Sequence, residues 1–242
     1  TEPDAEGGLR AVDGVVRATL DAHEVLLLNS ANGPFPPNQR DLSGAVLEST
    51  GPVALFASHD CSEYPSGQFA CDHLEEQIFP LHTWGRSFVL APPVRRGVEA
   101  TWWKMVADLD GTRVILSRPY DELAAEGPGN GGSPDCVDFL VDPETLILDA
   151  GEHCEFGSAH PVALFANQPM MVIGILAGQG ATGVPSGHGQ HAGDPALFAV
   201  PPDRQYRDNY AFLTPETYAN DFITIVADAD AEEHAPARQD VE

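Results

Sequence analysis

The chain has 242 residues, 43% of them apolar, which is length enough for one large β domain or two smaller ones and too apolar for wholesale disorder. Its 37 acidic residues against 12 basic ones give a net charge of −25, with Lys104 the one lysine. Such a surface repels polyanions, which excludes nucleic acid and anionic membrane as partners. No stretch reaches the roughly 18–20 apolar residues of a membrane span, and the acidic, polar start over residues 1–8 is unlike a signal peptide, as expected of a mature fragment.

Strand-like runs dominate. In chain order they are 25–28, 53–56, 88–90, 105–107, 114–116, 170–176 and 222–226, punctuated by Gly, Pro, Asn, Asp or Ser. The 23 Gly and 21 Pro supply the tight turns that many short strands need. Nowhere do apolar residues recur at i, i+3, i+4, i+7 for three turns; residues 121–126 come nearest and predict one or two helical turns. The chain reads as all-β.

Laid side by side, the two halves match in order. Residues 21–27 (DAHEVLL) correspond to 142–148 (DPETLIL), 51–56 (GPVALF) to 168–173 (QPMMVI), and 70–73 (ACDH) to 192–195 (AGDP). Pro80 then meets Pro202, Trp84 meets Tyr206, Phe88 meets Tyr210, and 106–110 (VADLD) meets 226–230 (VADAD). The match predicts two tandem antiparallel β-sandwich-like units, 5–116 and 136–230, joined by a Gly/Pro-rich linker at 117–135 and followed by an acidic tail at 231–242. The alternative is one closed, propeller-like assembly in which a strand near 9–16 supplies the partner that the second copy lacks.

The four cysteines form two local pairs, which predicts disulfides Cys61–Cys71 and Cys136–Cys154 and an oxidising compartment. A zinc site is the rival reading, but the spacings lack the close knuckles that structural zinc uses.

Three further stretches, 51–61 (GPVALFASHDC), 71–77 (CDHLEEQ) and 80–88 (PLHTWGRSF), together with 193–196 (GDPA), 201–202 (PP) and 209–212 (NYAF), resemble the IgGFc-binding protein N-terminal domain family. The resemblance covers about 42–226. That family is named for a mucus protein that binds the Fc part of immunoglobulin G, and its bacterial members sit in large secreted or surface proteins. The low-lysine composition, using Asp and Arg, is that of a bacterial chain. The resemblance implies an extracellular, disulfide-bonded, non-catalytic module; the expected role is adhesion or ligand binding, secreted or at the cell surface, and the isolated fragment is expected to be a monomer. Its partner would be an extracellular protein or glycan, with no membrane insertion. Immunoglobulin binding does not carry over, because no residue motif maps that activity onto this chain. A structural spacer without its own ligand is the alternative.

Asp72, His73, Glu75, Glu76 and His82 offer acids and bases close in sequence, and Asp72/His73/Glu76 would serve a hydrolase. The simpler reading is that Asp72 and its counterpart Asp194 fix equivalent turns by accepting backbone N–H bonds. Asp108 and Asp110, followed by Gly111, resemble the opening of a calcium loop, yet a hairpin turn centred on Asp110-Gly111 explains them without a cofactor. His188 and His191 could bind a transition metal, or lie on a solvated Gly-rich loop over 178–193. Gly193-Asp194-Pro195 is followed by Ala196, so the Asp–Pro cleavage of Gly-Asp-Pro-His domains is not expected. Trp84 and Phe88 are expected to pack. Of the neighbours Trp102 and Trp103, strand alternation turns one inward and one outward, where it would anchor a ligand or be covered by a loop.

Overall fold

The structure is a computed structural model that describes residues 13–30, 41–68, 71–127, 134–185, 193–214 and 220–227. Two compact units divide the chain, Thr1–Asp41 and Leu42–Glu242. In the first, Asp13, Gly14 and His23 take positive φ (51°, 76° and 73°) in turns. The Glu24 amide there donates to the Asp21 carbonyl at 3.2 Å, and Glu24 Oε2 accepts from the Asp21 amide at 2.8 Å. The run at 25–28 forms no strand, and Val25 and Leu27 are exposed. The predicted strand near 9–16 begins outside the described residues, as do the tail 231–242 and most of the Gly-rich stretch 127–134.

The second unit is antiparallel β, as its residues predict. Strands β1 (Leu55–Glu63) and β2 (Cys71–Ile78) pair as a small two-stranded sheet. Eight strands form a curled half-barrel: β3 (Gly85–Leu90), β4 (Thr101–Ala107), β5 (Thr112–Leu116), β6 (Leu140–Asp142), β7 (Thr145–Leu148), β8 (His153–Ser158), β9 (Val162–Leu176) and β10 (Ala196–Ala199). Their order is β6-β7-β5-β9-β4-β8, with β3 and β10 also on β9. β9 holds the sheet together because it changes partners along its 15 residues. Its first half pairs with β3 and β5, its second with β4 and β10. The change falls at Pro169, where β3's register jumps from Phe165 to Met170; proline has no N–H for a ladder and belongs at such a break.

This order bears on the two units expected at 5–116 and 136–230. Strands from both sides of 117–135 alternate in one sheet, β9 lying between β5 and β4, and tandem repeats are not established. Nor does the first part of that segment run free. Residues 120–126 form α1 (Tyr120–Glu126), the one α-helix among the described residues, whose Tyr120 and Leu123 are buried against the sheet. Gly127 at its end meets Gly157 backbone to backbone; a Cβ on Gly127 would stand 2.7 Å from the Gly157 Cα, so neither position admits a side chain without movement.

The sequence correspondence nevertheless has a geometric counterpart. In β1–β2, Phe56, Ala57, Ser58 and His59 oppose Gln77, Glu76, Glu75 and Leu74. Their counterparts Ile173, Gly174, Ile175 and Leu176 oppose Ala199, Phe198, Leu197 and Ala196, the same register. Each pair runs into a 3₁₀ turn, Leu81–Thr83 or Asp203–Gln205, entered from a proline with φ −68° and ψ 152° or 155°. The bonds Thr83 N–H to Pro80 O and Trp84 N–H to Leu81 O recur as Gln205 N–H to Pro202 O and Tyr206 N–H to Asp203 O. The equivalence stops there: the counterparts of β3 and β4, residues 207–212 and 222–227, form no strand.

The core lies within the half-barrel, around Phe88, Trp103, Met105, Leu146, Phe156 and Leu164. A smaller cluster joins Tyr64 and Leu74 of the hairpin region to Trp102 and Ile175 on the other face of β4 and β9.

Candidate functional site

A narrow cleft lies where the two 3₁₀ turns meet. It is lined by Phe79, Trp84, Phe88, Met170, Val200 and Pro202, among others. The turns hold each other through counterpart residues: Arg204 Nη2 donates to the His82 carbonyl at 2.7 Å, and Gln205 Nε2 to the Thr83 carbonyl at 2.7 Å, both between residues 122 apart. Trp84 Nε1 donates to the Phe79 carbonyl at 3.0 Å. Gly85 lets the turns close, since a Cβ there would lie 2.0 Å from Pro202 Cβ. The cleft's interior of about 20 Å³ holds roughly one water. It is a packing seam, too small for an organic substrate.

The acid–base cluster does not converge. Asp72, Leu74 and Glu76 share one face of β2, His73 and Glu75 the other. Asp72 Oδ1 accepts the His73 amide at 2.7 Å, Glu76 Oε1 the Gln77 amide at 3.1 Å, and His73 Nε2 lies 3.2 Å from Glu75 Oε2, all on exposed surface. At Asp194 the backbone carbonyl, rather than the carboxylate, receives Arg96 Nη1 at 3.4 Å.

Residues 108–111 form a turn, with Gly111 at φ +66°. Asp110 Oδ1 accepts the Ala150 amide at 3.0 Å, and Gly111 N–H donates to Asp149 Oδ1 at 2.9 Å. Asp110 is thereby engaged in joining two adjacent turns. No group of three metal-ligating side chains occurs among the described residues, which do not include His188, His191, Asp228 or Asp230. Melting curves in NaCl, with and without millimolar CaCl2 at matched ionic strength, are expected to coincide, since salt acts here only by screening. A calcium increment that persists in high NaCl and vanishes in Asp110→Ala would show a bound ion.

Trp102 and Trp103 do face opposite ways, but neither is presented to a ligand. Trp103 is wholly buried and donates to Ser158 Oγ at 2.8 Å. Trp102, on the face away from the main core, is 3% exposed, because Tyr64 packs on it edge-on at 6.2 Å. The hairpin region is the cover.

Three polar clusters escaped the sequence reading. Glu155, 2% exposed on β8, accepts the Tyr64 hydroxyl at 2.7 Å. Glu99 accepts the backbone N–H groups of Arg96 and Gly97 at 2.7 and 2.8 Å, and Arg96 spans to the Ala177 carbonyl. Burial pushes the Glu99 carboxyl up, but these bonds outweigh it and hold it below the usual carboxylate range. Glu126, at the end of α1, is gripped by Arg118 Nη2 (2.7 Å), the Ala159 amide (2.9 Å) and His160 Nδ1 (3.0 Å). Burial raises its pKa, and those three donors with the Arg118 charge bring it down to about 2. A carboxyl depressed on folding stabilises above its unfolded pKa of 4.5 and loses that contribution as pH falls through 4.5 towards 2. Glu126→Gln is therefore expected to lower the neutral-pH melting temperature, by roughly 1–3 kcal/mol of stability, and to flatten stability against pH over that window. A variant that melts with wild-type pH dependence would assign the acid sensitivity elsewhere. The signal was faint in sequence: Glu155 meets Tyr64 across 91 residues and Glu126 meets Ala159 and His160 across 33 and 34, while Glu99 and its neighbours Arg96 and Gly97 form no recognisable motif.

The chain is 32% identical over 76 residues to the human "IgGFc-binding protein", which is 31% of this chain and 1% of that protein's length. No solved structure matches the chain. The family model described as "IgGFc binding protein" matches residues 4–241, and the chain belongs to that family.

Proposed function

We propose that this chain is an extracellular, non-catalytic binding module of a larger secreted or surface protein. The family match over residues 4–241 carries the reading. Two disulfides, Cys61–Cys71 and Cys136–Cys154, support an oxidising compartment, and no helix among the described residues is long and apolar enough to cross a membrane. The chemistry of the described side chains supports binding over turnover. Buried Glu99 and Glu155 and partly buried Glu126 serve as staples, and the acids and histidine of β2 face solvent on opposite sides of one strand. The ligand is an extracellular protein or glycan that tolerates a strongly acidic surface. Immunoglobulin Fc, named in the family and in the human relative, is one arm of the test rather than the conclusion.

The test immobilises the full chain and measures retention, at physiological ionic strength, of Fc and of the source organism's secreted proteins and glycans. Saturable retention of one component supports the reading, and its identity names the ligand. Retention of nothing above a denatured control overturns it in favour of a spacer. Hydrolytic turnover abolished by Glu76→Gln or His73→Ala would overturn it in favour of an enzyme.

A further inference from the structure

We infer that β1 has an open edge built to receive residues 222–227 of the same chain as a third strand. This goes beyond the proposed binding role and rests on the register found above. β9 is the counterpart of residues 45–59, and on the side away from β10 it pairs with β4, Trp102 opposite Ile175 through Met105 opposite Val172 to Ala107 opposite Met170. Among the described strands β1 pairs only with β2, and its own residues are almost all exposed. The counterpart of β4 is 222–227, FITIVA against WWKMVA, and it too is unladdered.

Carrying the β4–β9 register across places Ile223 opposite Ala57, Ile225 opposite Leu55 and Ala227 opposite Val53. Opposed residues share a face, so this register sets Val53, Leu55 and Ala57 beside Ile223, Ile225 and Ala227 on one face, on which Glu76 of β2 also lies, opposite Ala57. A slip of one residue would set Leu55 opposite Thr224 or Val226 and send Ile223 and Ile225 to the other side. The corresponding face of β4 and β9, with Trp103, Met105, Met170 and Val172, lies in the main core. Further core members Phe88, Leu90 and Leu164 correspond to Tyr210, Phe212 and Leu47, all exposed here. One set of positions is thus buried in the half-barrel, and its counterpart set is apolar and open: Leu55 is 39% exposed, Ile223 55% and Ile225 85%.

Reach selects the same chain over a second copy. The two 3₁₀ turns contact each other residue for counterpart residue. Seventeen residues lead from Trp84 to Trp102, and β4 crosses to the strand of the other half; fifteen lead from Tyr206 to Phe222. A net charge of −25 further opposes pairing between copies.

Hydrogen exchange read by mass spectrometry on the full chain, at two concentrations tenfold apart, tests this. Amides of 222–227 are expected to exchange at least tenfold slower than in an unstructured peptide, equally at both concentrations. Thr224→Pro and, separately, Ile225→Pro alternate which N–H is lost, so at least one removes a ladder bond. That variant should release 222–227 and speed exchange along β1 while β4 and β9 keep their protection, which also certifies its fold. Unstructured rates in the wild-type chain overturn the inference. Protection that appears only at the higher concentration overturns it in favour of a second copy on the β1 edge. Neither outcome touches the ligand measurements above.

Discussion

Replacing Cys136 and Cys154 together by alanine is expected to lower the melting temperature by roughly 6–12 °C, the shift that about 3 kcal/mol makes in a domain of this size. The bridge spans a sequence separation of 18 residues, and both cysteines are wholly buried in the main core. It ties the 3₁₀ turn Cys136–Phe139 to β8, beside Asp135, which accepts the Val137 amide at 3.0 Å and the Tyr120 hydroxyl. Reducing it frees the closed loop that carries β6 and β7, and β6 is an edge strand of three residues with one partner. The Cys61–Cys71 bridge has a separation of 10, which in chain-entropy terms is nearly as large a constraint, but it staples a hairpin already laddered on both sides of Cys61, at His59 and at Ser62. Its removal should loosen β1 and β2 locally and move the global melt far less. Thermal denaturation followed by circular dichroism, alongside exchange rates in the hairpin, separates the two. Equal global shifts would mean that the small sheet unfolds with the half-barrel as one cooperative body.

Trp103→Ala is the single substitution with the largest expected cost, about 3–5 kcal/mol. Trp103 is the largest side chain buried without exposure, on a strand flanked by β8 and β9, and it meets the Phe198 ring edge-on at 6.0 Å. Its removal leaves a cavity walled by ladders that cannot collapse inward, and it deprives the buried Ser158 hydroxyl of the indole donor. Trp103→Phe refills part of the space but not the donor, so it should cost less than the alanine change. Trp102→Ala should also cost less, since its cluster is small and lies beneath the hairpin region. Urea unfolding is the measurement: a lower midpoint with an unchanged slope reports lost packing, whereas a changed slope reports altered compactness of the native or denatured state or a loss of two-state unfolding. A Trp103→Ala midpoint within experimental spread of wild type would place the main core elsewhere.

Much of the local structure was legible from residue order. Residues 88–90, 105–107, 114–116 and 170–176 lie in strands, 121–126 in one short helix, and Asp110-Gly111 in a turn. The cysteine spacing named both disulfides. The runs at 25–28 and 222–226 show where such reading ends: their composition suits a strand, and no ladder receives them among the described residues. The candidate site was legible only in part. Adjacent tryptophans could be assigned to opposite faces, while the cover supplied by Tyr64, from 38 residues earlier, could not.

The sequence by itself determined the β class, the turn chemistry and the cysteine partners, because each is set by residues near one another. Tertiary structure alone decided that β9 lies between β5 and β4, that residues 120–126 belong to the core rather than to a linker, and that Glu99, Glu126 and Glu155 are staples. A period of two fixes which face of a strand is apolar, not which strand lies beside it. That neighbour is chosen by closing loops of many tens of residues, whose entropic cost grows only slowly with length, so the choice leaves no mark in any short window of the chain.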